Sequence, residues 1–448
     1  MWDMSKTYRS WDVDQTMLLP PSVRELVPAG HLAHFIRDTV RESLDLSAIL
    51  GEYRQERGYP PYHPVMMTAL LLYAYCQGVY SSRRIAQACE QRVDFMAVTA
   101  LQRPDFRTIN DFRKRHLKAL GALFGQVLVL CEQAGLVKLG HVALDGTKLR
   151  ANASKHKAMS YGRMKRRERE LAAEVRKWLE QAEATDASED AALGSEQRGD
   201  ELPEWVTNKQ RRLAKMRKAM AALEAEAAGA PSDSEKGAQG PPPGSDGPVE
   251  PGARPEQPPA PKDKAQRNFT DPDSRIMKTA NGFEQAYNAQ AAVDADSQVI
   301  VAEGLTNAGT DKQHVVPMAQ AIERNTGRTP TELSADSGYC SEANLQELQR
   351  RGIRGYIATG RQKHGSASAT GQAAGRGGTQ VQRMSKRLKQ GGHRSRYRLR
   401  KQTVEPVFGQ IKGARGFRQF SLRGLAKVAD EWRLVCTAHN LLKLAQTS

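Results

Sequence analysis

Three carboxylates stand in settings unlike those of the other acidic residues. Asp145 follows the apolar run His141-Val-Ala-Leu, a strand-like segment, and Asp336 follows Glu332-Leu-Ser-Ala and enters Ser-Gly-Tyr, a tight turn. Glu405 is the only acid between Arg383 and Lys427, a segment with 14 Lys and Arg. Each has an ordinary reading when taken alone. Asp145-Gly146 suits a hairpin turn, Asp336-Ser-Gly338 suits a loop, and a lone Glu405 suits a salt bridge in a cationic helix. Together they describe a different chemistry. Two strand-end carboxylates and one helix carboxylate can meet at the edge of one sheet and hold two divalent cations, and hard ions such as Mg²⁺ or Mn²⁺ suit oxygen donors. Two such ions, roughly 3.5–4 Å apart, activate a water or a 3′-hydroxyl and steady the leaving oxygen in an in-line displacement at phosphorus. No GxSxG, HExxH or GxxxxGK[ST] motif offers a competing set.

The charge balance agrees with a phosphate-bearing substrate. The 448 residues contain 67 Lys and Arg against 50 Asp and Glu, a net charge of +17, which favours a polyanionic partner, nucleic acid foremost. Five scattered cysteines (Cys76, Cys89, Cys131, Cys340, Cys436) form no CxxC pair, which argues against a disulfide scaffold or zinc ribbon and fits a reducing cytosol. The start MWDMSKTYRS lacks the apolar core of a signal peptide, and no apolar run approaches the roughly 20 residues of a membrane span. The expectation is a cytoplasmic, soluble protein of two or three domains.

The elements that must position the acids follow from periodicity. Residues 1–135 read as helical: apolar residues recur three or four apart from His31 to Leu50, Pro64 opens a helix, Ser81-Ser82 caps Arg83–Gln91, and Thr108 precedes a helix from Ile109. Arg83, Arg84, Arg107, Arg113, Lys114 and Arg115 are expected on the surface, as in a helix-turn-helix DNA reader or a plain basic face. Segments 160–183 and 204–227 look like an antiparallel helical hairpin with a narrow apolar seam. Pro and Gly supply 16 of the 33 residues from Gly229 to Pro261, so a disordered linker is expected there. No chemistry is expected in this insertion. From Asn281 a hairpin turning at Asp294–Ser297, a helix Asp311–Asn325, a strand Glu332–Asp336, a helix Glu342–Arg351 capped by Ser341 and a strand Ile353–Ile357 predict an α/β layer arrangement. Residues 361–392 read as a mobile loop, and helices from about Lys401 and over Lys427–Leu444 close the chain.

These motifs carry a family resemblance. VALDGTKLRANAS (142–154), ELSADSGYCSEANL (332–345) and VEPVFGQIKGARGFRQFSLRG (404–424), with the helical block around GYPPYHPVMMTALLLYAYCQGVYSSRRIA (58–86), resemble bacterial insertion-sequence transposases of the DDE type. The resemblance implies a ribonuclease-H-like mixed-sheet catalytic core (136–154 and 269–448), an all-helical N-terminal DNA-binding or dimerisation domain (1–135), and an inserted helical hairpin plus linker (155–268). It implies Asp145, Asp336 and Glu405 as catalytic metal ligands for two Mg²⁺ or Mn²⁺ ions. It also implies DNA contacts by Lys412, Arg400, Tyr397 and Arg415. In a related branch, a Tyr-x2-Arg-x3-Glu-x6-Lys signature surrounds the third acid. Here Glu405-x6-Lys412 matches, whereas Arg400 stands five residues before Glu405 and Lys401 occupies the fourth position. The implied activity is metal-dependent cleavage and strand transfer on double-stranded DNA, element ends and target alike, by a homodimer or higher assembly without a membrane role. A catalytically inactive DNA-binding relative acting as a repressor is the alternative.

Overall fold

The computed structural model describes residues 27–53, 60–193, 204–229, 260–279, 281–360, 379–391 and 395–447, together with Ser22 and Glu25. The first part of the chain forms helices α1 (Leu32–Glu42), α2 (Ser47–Leu50), α3 (Pro64–Cys76), α4 (Ser82–Gln91), α5 (Val93–Thr99), α6 (Phe106–Arg115) and α7 (Leu117–Gln133). In α1 the stripe Ala33, Ile36 and Val40 is buried, and His31 caps the helix by accepting the Ala33 N–H at 3.2 Å. Pro64 opens α3, where its missing N–H costs nothing. That helix is buried on nearly every side from Met67 to Cys76, so it is the hub of the block.

The sheet is built on β1 (His141–Arg150). The insertion follows as β2 (Ala158–Ser160), α8 (Tyr161–Leu193), α9 (Glu204–Gly229) and β3 (Gln266–Asn268), with β2 and β3 paired antiparallel at its root. Then come β4 (Arg275–Thr279), β5 (Gly282–Asp294), β6 (Ile300–Thr306), α10 (Val315–Thr326), β7 (Glu332–Ala335), α11 (Glu342–Arg350) and β8 (Arg354–Ile357). Helices α12 (Gln380–Gly391), α13 (Leu399–Gly409) and α14 (Leu425–Leu444) complete the chain. The strand order is β4-β5-β1-β7-β8, with β6 also paired to β5. β5 runs antiparallel to β1, and β7 and β8 run parallel. This mixed sheet with flanking helices is the ribonuclease-H-like layout.

One hydrophobic core spans the helical block and the sheet. α14 packs against β6, α3 and α7, and the thiols of Cys76 and Cys131 meet the carbonyls of Ala438 (3.4 Å) and Asn440 (3.8 Å) on it. Among the described residues, one cluster includes Val127, Leu128 and Cys131 on one side of residue 135 and Val137, Leu139 and Val142 on the other.

Several local expectations need correction. Asp105, not Thr108, caps α6, because its carboxylate accepts the N–H groups of Arg107 and Thr108 at 2.6 and 3.1 Å. Arg113 is buried, donating to the Tyr80 carbonyl at 2.8 Å, so it leaves the basic face that Arg83, Arg84, Arg107, Lys114 and Arg115 form. The expected loop 361–392 contains α12, which lays buried Met384 and its neighbours Val381 and Leu388 against the core; residues 361–378 and 392 lie outside the described residues. The expected linker also lies outside them from 230 to 259.

Candidate active site

β1 does not stop at Asp145. β5 pairs with it from Val142 to Arg150, whereas β7 pairs only from His141 to Leu144 and ends at Ala335. Among the described residues, one edge of β1 is therefore open beyond Leu144 until Arg150, where segment 418–420 bridges to it. The site lies in this gap. Leu144 pairs with Ala335, so Asp145 and Asp336 are the next residues on neighbouring parallel strands, about 4.8 Å apart in backbone spacing. Asp336 caps the short 3-10 turn Ser337–Tyr339, with Oδ1 accepting the Gly338 N–H at 2.8 Å, which fixes its direction.

The third acid arrives on α13, which packs on β1 and β5. Pro406 follows Glu405 inside this helix. Proline has no N–H for the Gln402 carbonyl one turn earlier, and that carbonyl instead accepts from Gln298 Nε2 at 3.0 Å. The helix then widens into a π turn, Gln410–Ala414, which carries Lys412. Lys412 Nζ donates to Thr147 Oγ1 at 2.8 Å, two residues beyond Asp145 on the open edge. Burial lowers the Lys412 pKa. Arg400 joins the acids: one guanidinium nitrogen lies 2.6 Å from Asp145 Oδ2 and another 3.0 Å from Glu405 Oε1. Burial pushes the Asp145 carboxyl up to about 6; Arg400 opposes this, and the negative charges of Asp336 and Glu405 add to it.

Comparison with known families gives two matches. The model described as Transposase domain (DUF772) matches residues 21–115, and the one described as Transposase DDE domain matches residues 257–441. The two matches support a DDE-type insertion-sequence transposase. No curated protein and no solved structure gives a significant match. The DDE match contains Asp336 and Glu405 and begins after Asp145, so the place of Asp145 rests on strand register and on its Arg400 contact.

Not every residue singled out from the transposase sequence reaches the gap. Tyr397, in the 3-10 turn Arg396–Arg398, is half-buried near Arg400. Arg415 turns inward and is half-buried. Its guanidinium donates to His439 Nδ1 at 3.1 Å, while His439 Nε2 donates to the Gln298 carbonyl at 2.9 Å. Burial, with Arg415 adding to it, drives the His439 pKa down to about 3, which keeps the ring neutral for both bonds.

A fourth acid was not anticipated. Asp311, taken from the sequence as the start of a helix, lies in the loop before α10. It accepts from Lys148 Nζ at 3.2 Å, Asn288 Nδ2 at 2.6 Å and Gln290 Nε2 at 2.9 Å. Gln290 Oε1 accepts the hydroxyl of fully buried Tyr339, in the turn that Asp336 caps. The sequence carried no signal for this network, because its members are 290, 311 and 339, joined only by the sheet. It also explains Gly146. A methyl group there would stand 2.9 Å from both Asn288 Oδ1 and Asp311 Oδ1. Gly146→Ala is expected to cost about 1–3 kcal/mol through this overpacking. Urea unfolding measures the loss, and an unchanged midpoint would show that the three side chains step aside freely.

The donor chemistry fits a hard dication. Asp145, Asp336 and Glu405 offer only carboxylate oxygens, and desolvated Asp145 favours a positive neighbour. Among the described residues no three His, Cys, Asp or Glu side chains stand close enough to hold an ion as placed. Between Asp145 and Glu405 the Arg400 guanidinium supplies the positive charge, so an ion shared by those two acids needs that side chain to withdraw.

Proposed function

We propose that this transposase binds the terminal inverted repeats of its element, hydrolyses a phosphodiester at each end, and joins the freed 3′-hydroxyls to target DNA. The observation that carries the reading is the Arg400 bridge: acids 260 positions apart in sequence, Asp145 and Glu405, share one guanidinium beside the strand end that leads into Asp336. In cleavage, the oxygen of water bonds to phosphorus and the P–O3′ bond breaks, leaving a 3′-hydroxyl and a 5′-phosphate. In transfer, that 3′-oxygen bonds to a target phosphorus and the target's own 3′-oxygen leaves. Asp145, Asp336 and Glu405 would hold Mg²⁺ or Mn²⁺, which supplies charge stabilisation and a nucleophile near neutral pH. Lys412, fixed by Thr147, is placed to hold a non-bridging phosphate oxygen, and Arg400 takes the same role once released from the acids. The basic face of α4 and α6 is assigned to duplex DNA and the functional unit to at least a dimer, since two ends must be joined together.

The test is incubation of the full-length protein with a duplex that carries the element ends. Appearance of a 3′-hydroxyl at the end with Mg²⁺ or Mn²⁺, blocked by chelation, is expected. Stable, specific end binding with no cleavage under any divalent ion favours the inactive repressor reading instead.

A further inference from the structure

Three clefts run from the far end of β1, just past the open edge, out along the inserted hairpin and share their walls. The first, about 550 Å³, starts at Arg150 and includes Lys155, Lys157, Arg423 and exposed Phe283. The second, about 530 Å³, shares His156, Lys157 and Thr270 with it and adds Arg212 and Lys215 of α9. The third, about 800 Å³, shares Met159 and Arg212 with the second and adds Arg163 and Arg166 of α8. Most cations along this path have no acidic partner. Arg150 pairs with Glu284 at 3.2 Å and Arg167 with Glu170 at 2.7 Å. Among the described residues Arg423 donates only to the neutral oxygens of Asn152. Among the described residues no carboxylate lies within ion-pair distance of Lys155, Lys157, Arg163, Arg166, Arg212 or Lys215.

The hairpin is held to the body, so the path has a fixed shape. Phe269 packs into both apolar clusters of the hairpin. Glu226 of α9 pairs with Arg267 at 2.5 Å and Arg275 at 2.8 Å, and the Tyr161 hydroxyl donates to Glu224 at 2.6 Å. A row of unpaired cations on a rigid support suits a regularly spaced polyanion.

We infer that the inserted helical hairpin is a DNA-backbone track, which seats the phosphates of the duplex flanking the reaction site. This inference rests on the reading of the protein as a DNA transposase. Arg150 lies five residues beyond Asp145 on β1, about 17 Å at roughly 3.3 Å per residue. At about 3.4 Å per base pair, the track begins about five base pairs from the scissile phosphate. The insertion, unremarkable in sequence, then sets where along the duplex the protein grips.

Salt dependence of binding tests this. Each phosphate contact contributes about 0.9 to the slope of log affinity against log salt. In the full-length protein, the pair Arg212→Gln and Lys215→Gln is expected to reduce the slope by about 2, with hydroxyl-radical protection lost on one side of the cut beyond about five base pairs. The pair Lys165→Gln and Lys218→Gln, on the same hairpin but outside the clefts, removes the same charge and is expected to leave slope and footprint as in the wild type. A wild-type slope in the first pair, or an equal reduction in both pairs, overturns the track while leaving the transposase reading intact. A wild-type protein that neither binds nor cuts end DNA overturns both.

Discussion

Asp336→Asn is expected to reduce strand cleavage by about a thousandfold or more while leaving the fold and end binding in place. The substitution removes a negative charge from the gap and leaves the local geometry alone. Asparagine keeps the Oδ1 that accepts the Gly338 N–H, so the 3-10 turn Ser337–Tyr339 retains its cap. What is lost is an anionic oxygen in the set that would hold the ion, where charge stabilisation is worth several kcal/mol, and each 1.36 kcal/mol is about tenfold in rate. Cleavage of end DNA in Mg²⁺, measured beside circular dichroism and end binding, decides the matter. Undiminished cutting by a folded variant removes Asp336 from the mechanism.

The second large effect is on stability. Trp432 of α14 is fully buried, its ring stacks on Phe408 of α13 with centroids 6.5 Å apart, and its indole N–H donates to the Gln290 carbonyl at 3.1 Å. It thus joins the two C-terminal helices to the strand whose Gln290 side chain steadies Asp311 and Tyr339. Trp432→Ala leaves a large cavity and an unpaired carbonyl, for which about 3–5 kcal/mol is expected. In a protein of 448 residues that corresponds to a fall in melting temperature of roughly 3–5 °C. A melt within about one degree of the wild type would mean that the helices repack around the void. Cleavage should fall as well, since the Gln290 carbonyl loses its anchor while all three acids remain.

Much of the local structure could be read from the residues. Pro64 opens α3, Ser341 caps α11 by accepting the Asn344 N–H, and the turn after Asp294 joins β5 to β6, because each depends on neighbours within four residues. Where a nearby competitor was better placed, the local reading failed. Thr108 lost the cap of α6 to Asp105, whose carboxylate reaches two N–H groups at once. The apolar spacing of Val381, Met384 and Leu388 was hidden by the Gly/Ser-rich composition around it, and α12 formed because α11 and β8 offered a surface to bury it.

By itself the sequence determined the chemistry on offer: three carboxylates in strand-end and helix settings, a surplus of cations, and the order of α and β elements. These follow from residue type and short-range periodicity. Tertiary structure alone decided which groups meet. β7 ends four pairs into β1, and that early end opens the edge where Asp145, Asp336 and Lys412 gather. The sheet brings Asp311 and Gln290 to Tyr339, and packing turns Arg415 inward toward His439 while Arg400 reaches the acids. Residues along a helix face different directions, so one arginine can turn toward a histidine and another fifteen positions away can bridge two carboxylates, a distinction that composition does not record.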